Sequence, residues 1–198
     1  AGFFAPFPET VVAVTGTNGK TSTVEMTRQI WRMAGERSAS IGTLGVTTAD
    51  ESVSTGLTTP DVVTFLANMS GLAREGISHV AFEASSHGLS QYRSEGPKVA
   101  AGAFTNLSRD HLDYHKDMED YFAAKMRLFD EVVEDGGAGV VWMDDEWSER
   151  AAGHIRARGL RLLGVGEAAD AGGIRLISRT PGQLGQILEV EHGGLRRK

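Results

Sequence analysis

Thr10-Val11-Val12-Ala13-Val14, followed at once by Thr15-Gly16-Thr17-Asn18-Gly19-Lys20-Thr21-Ser22, decides how this chain is read. The first five residues form an apolar, β-branched run, as expected of a buried strand. A helical pattern begins at Lys20 and runs to about Ala34, where Gly35 supplies a stop. Between strand and helix lies a glycine-rich turn. Glycines let a backbone bend sharply and approach oxygen atoms closely. Consecutive N–H groups and a helix N-terminus make a cradle for an anion. Lys20 can reach terminal phosphates there, and the Thr21 hydroxyl suits Mg²⁺. The usual phosphate-loop motif has a glycine six residues before its lysine. Here that place is Val14, so the loop is a shorter G-x-x-G-K-T form. The alternative is an ordinary glycine-rich turn, and a strand before with a helix after weighs against it. The loop alone leaves hydrolysis, phosphate transfer and ligation undivided.

Outward from this unit, apolar runs alternate with helical patterns. That alternation predicts an α/β fold: a P-loop-type, mostly parallel sheet flanked by helices. Strands are expected at 38–44, 79–84, 100–105, 138–143 and 160–165, and helices at 118–133 and 146–158. Thr59-Pro60-Asp61 predicts another helix start, with Thr59 as N-cap, Pro60 at the first position and Asp61 in the first turn. That helix should end near Glu75-Gly76. From Ala171 the pattern changes. Two runs, 174–178 and 186–191, are separated by Pro181-Gly182 and predict a small antiparallel β appendage over 171–198. The 198 residues read as one domain with that appendage.

Composition narrows the class of function. There are 20 Lys+Arg against 26 Asp+Glu, a net charge of −6, which argues against a general nucleic-acid binder. No stretch approaches the run of about 18 apolar residues that a membrane span needs. The opening Ala1-Gly2-Phe3-Phe4 lacks a basic signal-peptide segment. No cysteine is present, so disulfides and thiolate metal sites are excluded, which fits a reducing compartment. The chain does not begin with Met and reads as a piece of something longer.

Three further positions bear chemistry. His79-Val80-Ala81-Phe82-Glu83 is an apolar run ending in an acid. In a parallel sheet the carboxyl ends of the strands line the ligand crevice, so Glu83 is expected to face the loop, where a carboxylate can ligate Mg²⁺. A solvated strand-end acid is the alternative. His111 and His115 share the i, i+4 spacing of a zinc pair, but no Glu follows the first and no third ligand is evident. Lys125 sits among Met118, Tyr121, Phe122, Leu128, Phe129 and Val132, all on one helix face. It therefore occupies the middle of a core stripe. A buried ammonium is costly, so its pKa should fall and a neutral amine could take up CO₂. Periodicity alone favours the alternative, a lysine snorkelling to water.

Together these segments resemble the Mur ligases. The loop is joined by Leu57-Thr58-Thr59-Pro60, by Glu83-Ala84-Ser85-Ser86-His87-Gly88-Leu89 and by Asn106-Leu107-Ser108-Arg109-Asp110-His111-Leu112-Asp113-Tyr114-His115. The set, in order over about 11–165, is similar to the MurE branch. The resemblance implies a three-domain cytoplasmic enzyme of peptidoglycan synthesis, of which this chain would be the central ATPase domain. The N-terminal UDP-binding domain and the C-terminal amino-acid-reading domain would lie outside it, leaving the chain alone inactive. It implies ATP on Gly16, Thr17, Asn18, Gly19, Lys20, Thr21 and Ser22. It also implies Mg²⁺ on Thr21, Glu83, His111 and Lys125, with Lys125 carbamylated, and a catalytic set of Lys20, Glu83, His111 and Lys125. Thr58, Thr59, Ser85, Gln91 and Arg93 would hold UDP-MurNAc-L-Ala-D-Glu, and the amino acid added would be meso-diaminopimelate. Thr58 and Thr59 also have a reason of their own, at an expected helix N-terminus that suits an anion. Ser86 and His87, without a nucleophile elbow around them, are read as a turn. No nucleic acid, membrane or second subunit is expected. The rival readings are another Mur-type ligase such as folylpolyglutamate synthetase, and a P-loop nucleotide-binding module without amide chemistry.

Overall fold

A computed structural model describes residues 4–54, 56–183 and 185–198. In chain order the elements are β1 (Thr10–Thr15), α1 (Lys20–Met33), β2 (Ser38–Gly42), β3 (Gly45–Thr47), β4 (Ser52–Val53), α2 (Val62–Arg74), β5 (His79–Glu83) and α3 (Ser86–Ser90). Then come β6 (Val99–Phe104), α4 (Met118–Arg127), β7 (Val133–Trp142), α5 (Ser148–Ala157), β8 (Arg161–Gly166), β9 (Ile174–Gly182), β10 (Gly185–His192) and β11 (Leu195–Arg197). All strands join one sheet in the order β11-β10-β9-β8-β7-β6-β1-β5-β2-β3-β4. From β2 across to β9 every neighbouring pair is parallel. Antiparallel strands complete each side: β3 and β4 at one, β10 and β11 at the other.

The strand period sorts the core between the two faces of the sheet. Val14 and Ala81 pack with Val24 and Trp31 of α1. Their alternates Ala13 and Phe82 pack with Phe65 and Met69 of α2, Phe122 of α4 and Ile155 of α5. Phe65 and Phe82 meet edge to face with ring centroids 5.0 Å apart. Such a pair adds about 0.5–1.5 kcal/mol beyond its buried area. β1 lies between β5 and β6: the chain passes from β1 to β2 and back to β5 on one side of it, then crosses to β6 and continues outward on the other. This reversal of strand order opens a crevice at the carboxyl ends of the strands, where α/β sheets bind ligands.

Several boundaries differ from expectation. The run 38–44 divides: β2 stops at Gly42 and the chain returns through β3 and β4. The second helix is capped by Asp61 rather than Thr59, because the Asp61 carboxylate accepts from the N–H groups of Val63 and Thr64, both at 3.0 Å. The Thr59 hydroxyl is engaged elsewhere, donating to the Glu83 carbonyl at 2.9 Å. The helix expected over 118–133 is α-helical only to Arg127, and its last turn, Leu128–Val132, has π geometry. Ser86 and His87 lie in α3, a five-residue helix, rather than a bare turn. The expected hairpin at 171–198 forms, and β9 adds it to the main sheet through Val165–Ile174 and Gly166–Arg175 pairing. Among the described residues no helix is long and apolar enough to cross a membrane.

Candidate active site

The loop after β1 requires its glycines. Gly16 has φ 143°, and a Cβ there would lie 1.9 Å from Thr105 Oγ1. Gly19, with φ 84°, is the N-cap of α1; no side chain caps this helix and no acid stands in its first turn. Its leading N–H groups are thus left for an anion. The loop is tied to the segment following β6. Thr17 N–H donates to the Asn106 carbonyl at 2.9 Å, Asn18 N–H to Asn106 Oδ1 at 2.9 Å, and Thr105 Oγ1 to the Asn18 carbonyl at 2.7 Å. Lys20 Nζ folds back over the loop, donating to the carbonyls of Gly16 at 3.0 Å and Thr17 at 2.8 Å. Burial lowers its pKa, against the raising influence of the Glu83 and Asp110 carboxylates. Ser22 follows on the exposed side of the first helical turn.

Glu83 ends β5 directly beside Val14 of β1 and is only 2% exposed. Its carboxylate takes neutral donors alone. Thr21 Oγ1 and the Thr43 N–H reach Oε1 at 2.9 and 2.8 Å, and Thr43 Oγ1 reaches Oε2 at 3.3 Å. Gly42 makes room for it, since a Cβ at that position would stand 2.2 Å from Oε1. A buried carboxylate that, among the described residues, has no direct ion-pair partner and feels only the nearby charge of Lys20 suits a bound cation.

Lys125 is 1% exposed, so the snorkelling alternative is excluded. Its Nζ donates to the Gly16 carbonyl at 2.8 Å, on the same oxygen that Lys20 uses. It also lies 4.3 Å above the centre of the Tyr121 ring, and Tyr121 OH meets Thr17 Oγ1 at 3.3 Å. The amine's pKa is pushed well below its ordinary value of 10.5, first by burial and then by the charge of Lys20; Asp110 opposes. A neutral amine beside a phosphate loop can act as a nucleophile toward CO₂.

His111 is set at left-handed φ 52°, with its side chain 46% exposed. Its ring lies 5.1 Å from that of His87 and 6.0 Å from that of Tyr121. It thus stands next to Tyr121, which in turn stands next to Lys125. His87 is driven down in pKa by burial and by its neighbours His111 and His115. Among the described residues no three His, Asp or Glu side chains gather as a metal centre. Thr21 and Glu83 are in contact, while Lys125 sits on the Gly16 carbonyl of the loop and His111 stands beside His87 and Tyr121.

The remaining expected positions lie to one side of Glu83. Thr58 is half-buried, its Oγ1 3.1 Å from Thr43 Oγ1. Thr59 is buried and bonds Ser85 Oγ at 3.0 Å, and Ser85 caps α3 through the Gly88 N–H at 3.0 Å. Arg93 Nη1 donates to the Thr59 carbonyl at 3.1 Å and Nη2 to Gln91 Oε1, while Gln91 Nε2 reaches Tyr114 OH at 3.2 Å. Sequence reasoning missed Thr43, Thr105 and Tyr121 as parts of this network. Thr43 and Thr105 each stand just past a strand's carboxyl end, a placement that could have found them; Tyr121 was hidden among apolar residues of the same stripe.

Comparison with known proteins agrees over nearly the whole chain. Residues 14–194 match the family model described as "Mur ligase middle domain". A UDP-N-acetylmuramoyl-L-alanyl-D-glutamate--2,6-diaminopimelate ligase of Zymomonas mobilis is 57% identical over 194 residues, 98% of this chain and 40% of that protein. The enzyme of that name from Bradyrhizobium diazoefficiens is 51% identical over 198 residues, 99% of this chain and 41% of that protein. The chain therefore spans about two fifths of the length of these relatives. A solved structure of a ligase of the same name superposes with TM-score 0.85 at 27% identity, covering 96% of this chain and 38% of that one. A Mycobacterium tuberculosis folylpolyglutamate synthase complexed with ADP shares the fold, with TM-score 0.73 at 13% identity over 96% of this chain and 48% of that one.

Proposed function

Because the chain belongs to the Mur ligase family as a middle domain, we propose that it is the ATP-using core of a ligase that extends a peptidoglycan precursor. The substrates are ATP, UDP-MurNAc-L-Ala-D-Glu and an amino acid, 2,6-diaminopimelate by the names of the relatives and its meso form in our reading. The observation that carries this reading is Lys125: an amine only 1% exposed, rare for a lysine, is held against the carbonyl of the phosphate loop.

The chemistry follows from what a carboxylate lacks. Its oxygen is a poor leaving group until phosphorylated. The loop amides and Lys20 hold the ATP phosphates, and Lys20 offsets charge developing on the transferred group. The D-glutamyl carboxylate attacks the γ-phosphorus and ADP leaves; the amine of the third amino acid then attacks the acyl carbon of the acyl phosphate, losing a proton as inorganic phosphate departs. Mg²⁺, when bound, supplies positive charge for that transfer, and Thr21, Glu83, His111 and Lys125 would hold it. For Lys125 this requires the neutral amine to add CO₂ and release one proton, becoming a carbamate anion. Burial of the amine supports that step, since it disfavours the ammonium form. Thr58, Ser85, Gln91 and Arg93 would serve the acceptor side, where the N–H groups of Arg93 not given to the Thr59 carbonyl and Gln91 Oε1 suit a carboxylate or phosphate. Thr59, being buried, serves that side by holding Ser85.

The test is product balance. The protein expressed from its complete coding sequence is given ATP, Mg²⁺, the muramoyl dipeptide and either meso-diaminopimelate or lysine. ADP, phosphate and a new amide should appear in equal amounts with one of the two amino acids. ADP without amide would make the protein a nucleotidase, and turnover with folate alone would make it a folylpolyglutamate synthetase.

A further inference from the structure

Thr43 owns a hydrogen-bond arrangement that the reaction outlined above leaves unexplained. It stands just past β2 and gives both of its protons to Glu83, the N–H to Oε1 at 2.8 Å and the hydroxyl to Oε2 at 3.3 Å. A threonine hydroxyl has one proton and two lone pairs. With that proton on the carboxylate, the 3.1 Å contact between Thr43 Oγ1 and Thr58 Oγ1 must use the Thr58 proton. The order is therefore fixed: Thr58 donates to Thr43, and Thr43 donates to Glu83. An ionised acceptor at the end of such a chain strengthens each link. Thr58, its one proton committed, has only lone pairs left for a ligand. Gly42 locks the same geometry from behind, because any Cβ there would displace the Glu83 carboxylate.

We propose that Thr43 is a positioning residue that clamps the Glu83 carboxylate against Thr21 and makes Thr58 a pure hydrogen-bond acceptor, so that Thr58 selects an N–H or O–H of the muramoyl ligand rather than its phosphate or carboxylate. This rests on the ligase reading, and it gives Thr58 a donor of the ligand to meet in place of the anion suggested by its place before a helix. It also joins the two substrate sides: Thr21 belongs to the phosphate loop and Thr58 to the acceptor side, with Glu83 and Thr43 between them.

The experiment is calorimetric titration of the protein expressed from its complete coding sequence, as wild type, Thr43→Ser, Thr43→Val and Thr43→Ala. The probes are ADP with EDTA, ADP with Mg²⁺, and UDP-MurNAc-L-Ala-D-Glu. Binding of ADP in EDTA should be alike in all four, which shows the loop intact. With Mg²⁺, wild type and Thr43→Ser should bind ADP more tightly, while Thr43→Val and Thr43→Ala should lose about 10-fold, the weight of a hydrogen bond to a charged group. The same two variants should bind the dipeptide more weakly, with Thr43→Ser restoring it. Wild-type values in Thr43→Val, or valine-like values in Thr43→Ser, would overturn the proposal. Loss of ADP binding in EDTA by both Val and Ala variants would make Thr43 merely structural, with the same result. A wild type that binds neither ADP nor the dipeptide would instead bring down the ligase reading itself.

Discussion

Lys125 shows at the scale of one residue how far spacing carries an argument. Its place in an apolar stripe was legible, because a helix repeats every 3.6 residues. Its partner was not, because the Gly16 carbonyl lies 109 positions away and reaches it only through the fold. The same residue makes a prediction about stability. Burial lowers its pKa well below 10.5, so between the folded value and 10.5 the unfolded chain holds more protons, and stability rises with pH across that window. Below the folded value the full penalty is present. In CO₂-free buffer, Lys125→Met should therefore be more resistant to urea than wild type at pH 7, with the difference shrinking as pH nears 10.5. A difference that does not change with pH would contradict the buried-ammonium account. In turnover, Lys125→Ala should lose most activity, and added short carboxylic acids should partly restore it if a carbamate is the working form. Gly42→Ala makes a complementary case. Its Cβ would force Glu83 aside, so ligase turnover should fall at least 10-fold. The cost in stability should stay within about 1–3 kcal/mol, that of an overpacked site, measured by denaturant titration.

At the scale of the element, the parallel strands and long helices could be read because each follows one period for several residues. The short pieces could not. β3 and β4 have three and two residues, and their positions are set by pairing, β3 to β2 and β4 to β3, rather than by any pattern of their own. α3 has five residues and depends on Ser85 for its cap. The misplaced cap of α2 has a chemical reason: Thr and Asp two positions apart are both good N-caps, and the hydroxyl was claimed by the Glu83 carbonyl. Asp61→Ala should cost about 1 kcal/mol in urea unfolding, with 0.5–2 kcal/mol the usual span for a lost cap. Phe82→Ala, in the centre of β5 and against Phe65, should cost about 3–5 kcal/mol by the same measurement. A loss under 1 kcal/mol at Phe82 would mean that this face of the sheet is not the main core.

The whole molecule brings together what the sequence keeps apart. Loop, acid, lysine and the Thr58-Thr59 pair come from four separate segments, each recognisable by type, whereas Thr43 and Thr105, from two more, were not. Their convergence follows from the strand order, in which β1 has β5 on one side and β6 on the other. That same order carries a cost in time. The apolar strand Thr10–Thr15 has no parallel partner until His79–Glu83 and Val99–Phe104 exist. At roughly 5–20 residues per second of synthesis, the 63 residues between the end of β1 and the start of β5 (16–78) take on the order of 3–13 s to be made. During that interval the future centre of the sheet is a sticky segment on a nascent chain, so this protein should lean on chaperones while it is being translated, and should refold slowly from denaturant once released.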